Sequence, residues 1–198
     1  MKIIGVTGSS GSGKSTVCKI LEEKYGAKII DADKIAKKLS KKGTMYMKSI
    51  VEYFGPDIVT KSGALNRKKL ADIIYEDDEK REKLNRFTFI YVVDEIKNNI
   101  NQLTKNELIV IDAPLLFESD LDKVCDFVIG VVAKEEKKIE RICQRDNISE
   151  EDALKRLAVQ CKDEYLEENA DYIIENNSNV SKIEKELEKM GKKEKMLK

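Results

Sequence analysis

Two apolar runs in the second half of the chain place the strongest limit on its fold. They cover residues 108–113 and 127–132 and are nearly continuous in valine and isoleucine. A strand with one wet face alternates polar and apolar residues, whereas an unbroken apolar run is typical of a strand buried on both faces. These runs therefore predict a parallel sheet that is covered by helices on both sides.

Three shorter apolar runs extend this pattern, at residues 3–7, 27–30 and 172–174. Segments of helical period separate the runs, at 15–25, 66–74, 77–102 and 135–145. Alternation of strands and helices predicts an α/β fold in three layers, built on a five-stranded parallel sheet.

The spacing of the runs predicts two insertions into this core. About 75 residues separate the second and third runs, more than one crossover helix requires. We therefore expect a core at 1–32, 106–134 and 165–190, with a helical insertion at 33–105 and a second at 135–164. Within the second insertion, Ser149 precedes a helical pattern and is expected to cap it.

Composition excludes several classes of function. The chain has 198 residues, of which 37 are basic and 37 acidic, so no basic excess indicates a nucleic-acid partner. No apolar run is long enough to span a membrane, and the first residues lack the apolar core of a signal peptide, so we expect a cytoplasmic protein. Without histidine or a CxxC pair, Cys/His zinc sites and Ser-His nucleophiles are excluded. The chemistry must use carboxylates, lysine, arginine, hydroxyl groups or a metal.

Residues 8–15, "GSSGSGKS", match the phosphate-loop pattern G-x-x-x-x-G-K-S/T between a predicted strand and a predicted helix. Glycines allow successive backbone N–H groups to converge on an anion, and the helix adds its positive N-terminal end. Lys14 can reach the β- and γ-phosphates, and the Ser15 hydroxyl can bind Mg²⁺. The pattern predicts a binding site for a nucleoside triphosphate.

Acidic residues follow two of the predicted strands. Asp31 and Asp33 follow the second, and an extended backbone would point both side chains the same way. Asp33 is either an acid that orients or deprotonates a hydroxyl acceptor, or the N-cap of the next helix. Asp112, at the end of the third strand, either supports a magnesium ion or forms a turn before a proline.

Three further polar residues have two interpretations each. Arg141 and Arg145 are four residues apart and share a helix face, where they either clamp a polyphosphate or lie solvated at the surface. Asn176 follows the last strand, where its side chain either contacts adenine or forms a turn.

Taken together and in order, these stretches resemble the dephospho-CoA kinase family. The resemblance runs from "IGVTGSSGSGKSTV" through "DADKIA", "GALNRKKL" and "DAPLLFE" to "RICQRDNISEEDALKRLAVQ" and "ADYIIENN". It implies a phosphate-loop kinase of the nucleoside-monophosphate-kinase type, with a helical acceptor-binding insertion and a lid. Such an enzyme transfers the γ-phosphoryl group of ATP to the 3′-hydroxyl of dephospho-CoA with the help of Mg²⁺.

The resemblance also implies the roles of individual residues. Catalysis is expected of Asp33, Lys14 and Arg141, and acceptor binding of Asp33, Leu65 and Arg67. The expected nucleotide-binding residues are Gly11, Ser12, Gly13, Lys14, Ser15, Thr16, Arg145 and Asn176, with Ser15 also binding the metal. The expected partners are the two small-molecule substrates, without nucleic acid or membrane, for a monomer or weak homo-oligomer.

Two departures from the family pattern keep an alternative open. The family usually has a His-Pro pair shortly after "LN", but here Leu84-Asn85 is followed by Phe89-Ile90 at that place. Ser9 replaces a usual glycine, which gives the loop a likeness to uridine kinases, so another nucleoside or nucleotide kinase is the alternative. A GTP-driven switch is excluded because "TKNE" at 104–107 has glutamate where the guanine motif requires aspartate.

Overall fold

A computed structural model describes residues 1–104, 107–194 and 197. The described strands are β1 (Lys2–Thr7), β2 (Lys28–Asp31), β3 (Leu108–Asp112), β4 (Phe127–Val132) and β5 (Tyr172–Glu175). They form one sheet in the order β2-β3-β1-β4-β5. The pairs β1–β3, β1–β4 and β4–β5 are parallel. The predicted five-stranded parallel sheet is confirmed.

Helices join and cover the strands. Those described are α1 (Lys14–Tyr25), α2 (Ala32–Leu39), α3 (Met45–Phe54), α4 (Arg67–Tyr75), α5 (Asp78–Asn101), α6 (Glu135–Asp146), α7 (Glu150–Ala158), α8 (Asp163–Asn169) and α9 (Val180–Glu194). Short 3₁₀-helices lie at Pro56–Ile58 and Leu121–Val124. Ser149 caps α7 as predicted, because its hydroxyl accepts the N–H of Asp152. No described helix is long and apolar enough to cross a membrane.

The sheet carries helices on both faces, as its unbroken apolar strands predict. On one face, Ile129 and Val131 of β4 belong to a core cluster with Leu21 of α1 and Leu187 of α9. On the other face, a side chain at Gly130 would meet Leu166 of α8, among other atoms. Successive residues of a strand point to opposite faces, so β4 is covered on both sides. The fold is therefore the expected three-layer α/β arrangement.

Two aspartates bond to the starts of neighbouring strands. Asp126, just before β4, accepts the N–H of Ile3 in β1 at 2.8 Å. Asp171, just before β5, accepts the N–H of Val128 in β4 at 2.7 Å. A one-residue slip would turn each strand's apolar side chains to the opposite face, so these bonds support a register that burial already favours.

The chain divides into two compact units. The first contains the residues up to Ile30 and those from Leu103 onward, and the second is Asp31–Gln102. The second unit covers most of the predicted insertion, whose expected end at Lys105 lies outside the described residues. The predicted lid segment, 135–164, forms α6, α7 and the start of α8 in the first unit. Its role as a lid stays a prediction.

The second unit is a helical body with its own core. Tyr46, Met47 and Ile50 of α3 pack with Leu70 of α4 and Ile58. Two hydroxyl contacts join α3 to α5, between Tyr46 and Thr88 and between Ser49 and Tyr91. Helix α5 runs unbroken through Phe89 and Ile90, where the family's usual proline would remove a backbone N–H from the helix interior.

Candidate active site

The phosphate loop joins the end of β1 to the start of α1. Gly13, the N-cap of α1, has a φ of 97°, and a Cβ there would lie 1.8 Å from Nδ2 of Asn176. A Cβ on Gly11 would lie 2.5 Å from the carbonyl oxygen of Lys138. These glycines are therefore required for space as well as for backbone conformation.

Side chains from distant parts of the first unit hold the loop carbonyls. Arg141 donates to the carbonyl oxygens of Gly11 at 2.9 Å and Ser12 at 3.3 Å. Asn176 Nδ2 donates to the Ser12 carbonyl at 2.8 Å. A carbonyl and the next N–H point in opposite directions in a trans peptide, so the N–H of Gly13 faces away from Asn176.

The start of α1 has the chemistry that a polyphosphate and Mg²⁺ require. No side chain caps this helix among the residues described, so an anion can bind its first N–H groups. The Lys14 ammonium lies across the loop and donates to the Gly8 carbonyl at 2.6 Å. The hydroxyls of Ser9 and Ser12 are buried and have no hydrogen-bond partner in the part of the chain that the structure describes, whereas Ser15 is exposed. The residues present therefore fit a phosphate group, and the exposed Ser15 hydroxyl could reach an Mg²⁺ ion bound with it, a role that stays a prediction.

The structure differs from the sequence interpretation at Asp31, the last residue of β2, and at Asp33. The chain becomes helical at Ala32, so the expectation that an extended backbone points both side chains the same way is wrong. Asp31, and not Asp33, is the N-cap of α2, because its carboxylate accepts the N–H of Lys34 at 2.8 Å. Asp33 lies exposed in the first turn of α2, and its action on an acceptor hydroxyl stays a prediction. Asp112 is the last residue of β3, and its magnesium role likewise stays open.

The two arginines of α6 have different partners. Arg141 bonds to the phosphate loop, which makes the solvated-surface interpretation wrong for this residue. Arg145 is exposed and donates two hydrogen bonds to Asp146, at 2.8 and 2.9 Å. The Arg145 guanidinium, with that of Arg156, holds the pKa of the Asp146 carboxyl at about 2. The contact of Arg145 with nucleotide stays a prediction.

Asn176 is buried beside the loop, with 5% of its surface exposed. Its backbone N–H donates to Val132, which continues the pairing of β5 with β4, so the turn interpretation is wrong. Its backbone carbonyl accepts a bond from Arg141 at 2.9 Å, so the two residues form one support for the loop. The predicted contact of Asn176 with adenine stays a prediction.

The two acceptor residues implied by the resemblance lie in the second unit. Leu65 pairs with Val59 in an isolated β-bridge and packs, partly buried, against the core of this unit. Arg67 is exposed at the start of α4, directly after the N-cap Asn66. Their part in acceptor binding stays a prediction.

Two supports of the loop were missed by the sequence reasoning. Gln160, which the sequence marks only as part of a family pattern, bonds to Ser10 through both ends of its amide. Lys138, whose carbonyl oxygen lies against Gly11, is 8% exposed and pairs with Asp163. No local signal marks either residue, because each partner is more than twenty residues away along the chain.

Comparison with known proteins gives one consistent family. The family model described as dephospho-CoA kinase matches residues 2–182. The dephospho-CoA kinase of Fusobacterium nucleatum is 43% identical over 187 residues, covering 94% of this chain and 95% of that protein. The structure of dephospho-CoA kinase from Campylobacter jejuni is 31% identical, covers 96% of each chain and has a TM-score of 0.68. The crystal structure of TT1252 from Thermus thermophilus is 28% identical, with a TM-score of 0.82, and covers 96% of this chain and 95% of that one. The chain therefore belongs to the dephospho-CoA kinase family.

Proposed function

We propose that this protein transfers the γ-phosphoryl group of ATP to the 3′-hydroxyl of dephospho-CoA, which yields coenzyme A and ADP. The observation that carries the proposal is a complete phosphate loop in a chain of this family. Arg141 and Asn176 hydrogen-bond to the carbonyl oxygens of the loop, and no described side chain caps the start of α1. Phosphoryl transfer requires little covalent chemistry from a protein and depends on positioning and on stabilisation of charge.

The residues of the first unit supply the nucleotide side of this reaction. The backbone from Gly11 to Thr16 binds the phosphates, and the Lys14 ammonium leaves the Gly8 carbonyl to bind their β- and γ-oxygens. Arg141 holds the loop by its hydrogen bond to the Gly11 carbonyl oxygen and adds a positive charge to the site. When bound through Ser15, Mg²⁺ neutralises part of the charge on the phosphate oxygens.

The second unit supplies the acceptor side. Asp33, in the first turn of α2, orients the 3′-hydroxyl and accepts its proton, whereas Asp31 caps this helix. Arg67 lies in a run of three basic residues in a chain without net charge, which suits an acceptor that carries a pyrophosphate. Leu65 completes the proposed acceptor site. We also expect a cytoplasmic monomer or weak homo-oligomer without nucleic-acid or membrane partners.

A coupled ADP-release assay across a panel of acceptors tests the proposal. With Mg-ATP, the protein should phosphorylate dephospho-CoA at the 3′ position and leave uridine, cytidine and AMP essentially unchanged. Arg67→Ala should raise KM for dephospho-CoA more than KM for ATP, whereas Lys97→Ala, which removes an exposed positive charge of α5 outside this basic run, is the charge-matched control. Robust phosphorylation of uridine with none of dephospho-CoA would favour the nucleoside-kinase alternative instead.

A further inference from the structure

The connection between α7 and α8 contributes one side chain to the phosphate loop. Gln160 Oε1 accepts the backbone N–H of Ser10 at 2.7 Å, and its Nε2 donates to the Ser10 hydroxyl at 3.0 Å. A backbone N–H can only donate, so the oxygen of the amide must face Ser10 N and the orientation of Gln160 is determined. The two bonds join residues 150 positions apart.

Ser10 lies on the part of the loop that the other supports do not reach. Arg141 and Asn176 bond to the carbonyl oxygens of Gly11 and Ser12, whereas Gln160 bonds to a preceding N–H. The loop contains three glycines with positive φ, which without supports would sample many conformations. Gln160 therefore restrains the loop at a second place.

Gln160 is itself held in position. Its backbone N–H donates to the carbonyl of Leu157 at 3.1 Å, at the end of α7. Three residues later, both carboxylate oxygens of Asp163 lie 2.7 Å from the buried ammonium of Lys138 in α6. The connection is thus fixed on both sides of Gln160, and the side chain has little freedom to leave the loop.

We propose that Gln160 is a positioning residue for the nucleotide, which holds the phosphate loop in its binding shape before ATP arrives. A loop that is already ordered loses less conformational entropy on binding, so affinity is higher. The neutral amide is suited to this place because it satisfies Ser10 without adding negative charge near a polyphosphate. The inference rests on the proposed function only in that the loop binds ATP.

Isothermal titration of ATP into the protein, with no acceptor present, tests this role. Gln160→Met keeps the length of the side chain and removes both bonds, and we expect it to weaken ATP binding about tenfold, on the scale of one or two lost hydrogen bonds. Affinity for dephospho-CoA and kcat at saturating ATP should stay close to those of the parent. Gln160→Glu retains the bond to Ser10 N–H but adds charge, so its loss of ATP affinity should be relieved at high salt.

Gln144→Met is the matched control, because this glutamine of α6 is exposed and bonds to Glu140, one turn away on the same helix. It should bind ATP like the parent. A Gln160→Met protein with parental ATP affinity would overturn the proposal. Equal losses for ATP and dephospho-CoA with a lowered Tm would also overturn it, since they indicate a general structural role. Because no acceptor is present in the titration, failure of dephospho-CoA as a substrate leaves the result valid.

Discussion

Replacement of Gly13 by alanine tests the packing of the phosphate loop against Asn176. The new Cβ would lie 1.8 Å from Asn176 Nδ2, far inside van der Waals contact. The backbone at Gly13 has a φ of 97°, so alanine is also strained there by its own conformation. The amide of Asn176 must therefore move away, and its bond to the Ser12 carbonyl is lost.

The loss of stability expected for Gly13→Ala has two parts, one from backbone conformation and one from the lost hydrogen bond. Alanine in a left-handed conformation costs about 1–2 kcal/mol. Loss of the hydrogen bond of a buried group costs about 1–3 kcal/mol more. Gly26, the C-cap of the same helix, has a φ of 66°, and a Cβ there would meet no atom within 4 Å. Gly26→Ala therefore has only the conformational cost. For a chain of this size, Gly13→Ala should lower Tm by about 2–12 °C more than Gly26→Ala.

The cost of the lost hydrogen bond can be measured directly by thermal and urea unfolding of four proteins. These are the parent, Gly13→Ala, Asn176→Ala and the double variant. The bond from Asn176 to Ser12 can be lost only once, so the double variant should be about 1–3 kcal/mol more stable than the sum of the single losses predicts. Strict additivity, or equal effects of alanine at Gly13 and Gly26, would refute the steric argument.

Three other perturbations test separate parts of the site. Lys14→Ala should lower kcat/KM at least about a hundredfold in the ADP-release assay, with a small change in Tm, since the proposed role of the ammonium is to bind phosphate and its bond to the Gly8 carbonyl is only partly buried. Asp33→Asn should lower kcat by about 10²-fold with little effect on Tm. Asp31→Ala should remove a helix cap and cost about 1 kcal/mol of stability. Loss of turnover in the Asp31 variant and loss of stability in the Asp33 variant would instead make Asp31 the catalytic residue and Asp33 the cap. Because the Arg145 guanidinium depresses the folded-state pKa of Asp146 to about 2, this carboxylate stabilises the fold above about pH 4 and ceases to do so as the pH falls toward about 2. The Tm difference between the parent and Asp146→Asn should shrink over that range, and a constant difference would contradict the ion pair.

Features that depend on neighbours in the chain could be predicted from the sequence. Burial on both faces leaves an unbroken apolar run, so the strands β3 and β4 were predicted almost to the residue. Ser149 was predicted as a cap because its partner, Asp152, is only three residues away. For Asp33 the same reasoning left a helix cap open as one of two roles, and the cap proves to be Asp31, because both residues precede the helical pattern and the choice depends on where the chain leaves the sheet.

Features that depend on distant partners could not be predicted. Arg141 and Arg145 share a helix face, but long side chains extend from one face to different partners, a loop in one case and Asp146 in the other. The bonds of Asn176 and Gln160 to the loop join residues more than a hundred positions apart. Hydrophobic period and capping preferences carry no information about such pairs, and only the family pattern pointed to Gln160.

The long separation between the loop and its supports has a consequence for synthesis of the protein on the ribosome. The phosphate-loop residues emerge before their partners Arg141, Gln160 and Asn176, which follow 130, 150 and 164 residues later. At about 5–20 residues per second, that interval lasts on the order of ten seconds or more. A nascent chain that ends before Asn176 contains the whole phosphate-loop motif but lacks a bond that shapes it. We therefore expect full nucleotide affinity to arise only after β5 and Asn176 have emerged and β5 has paired with β4.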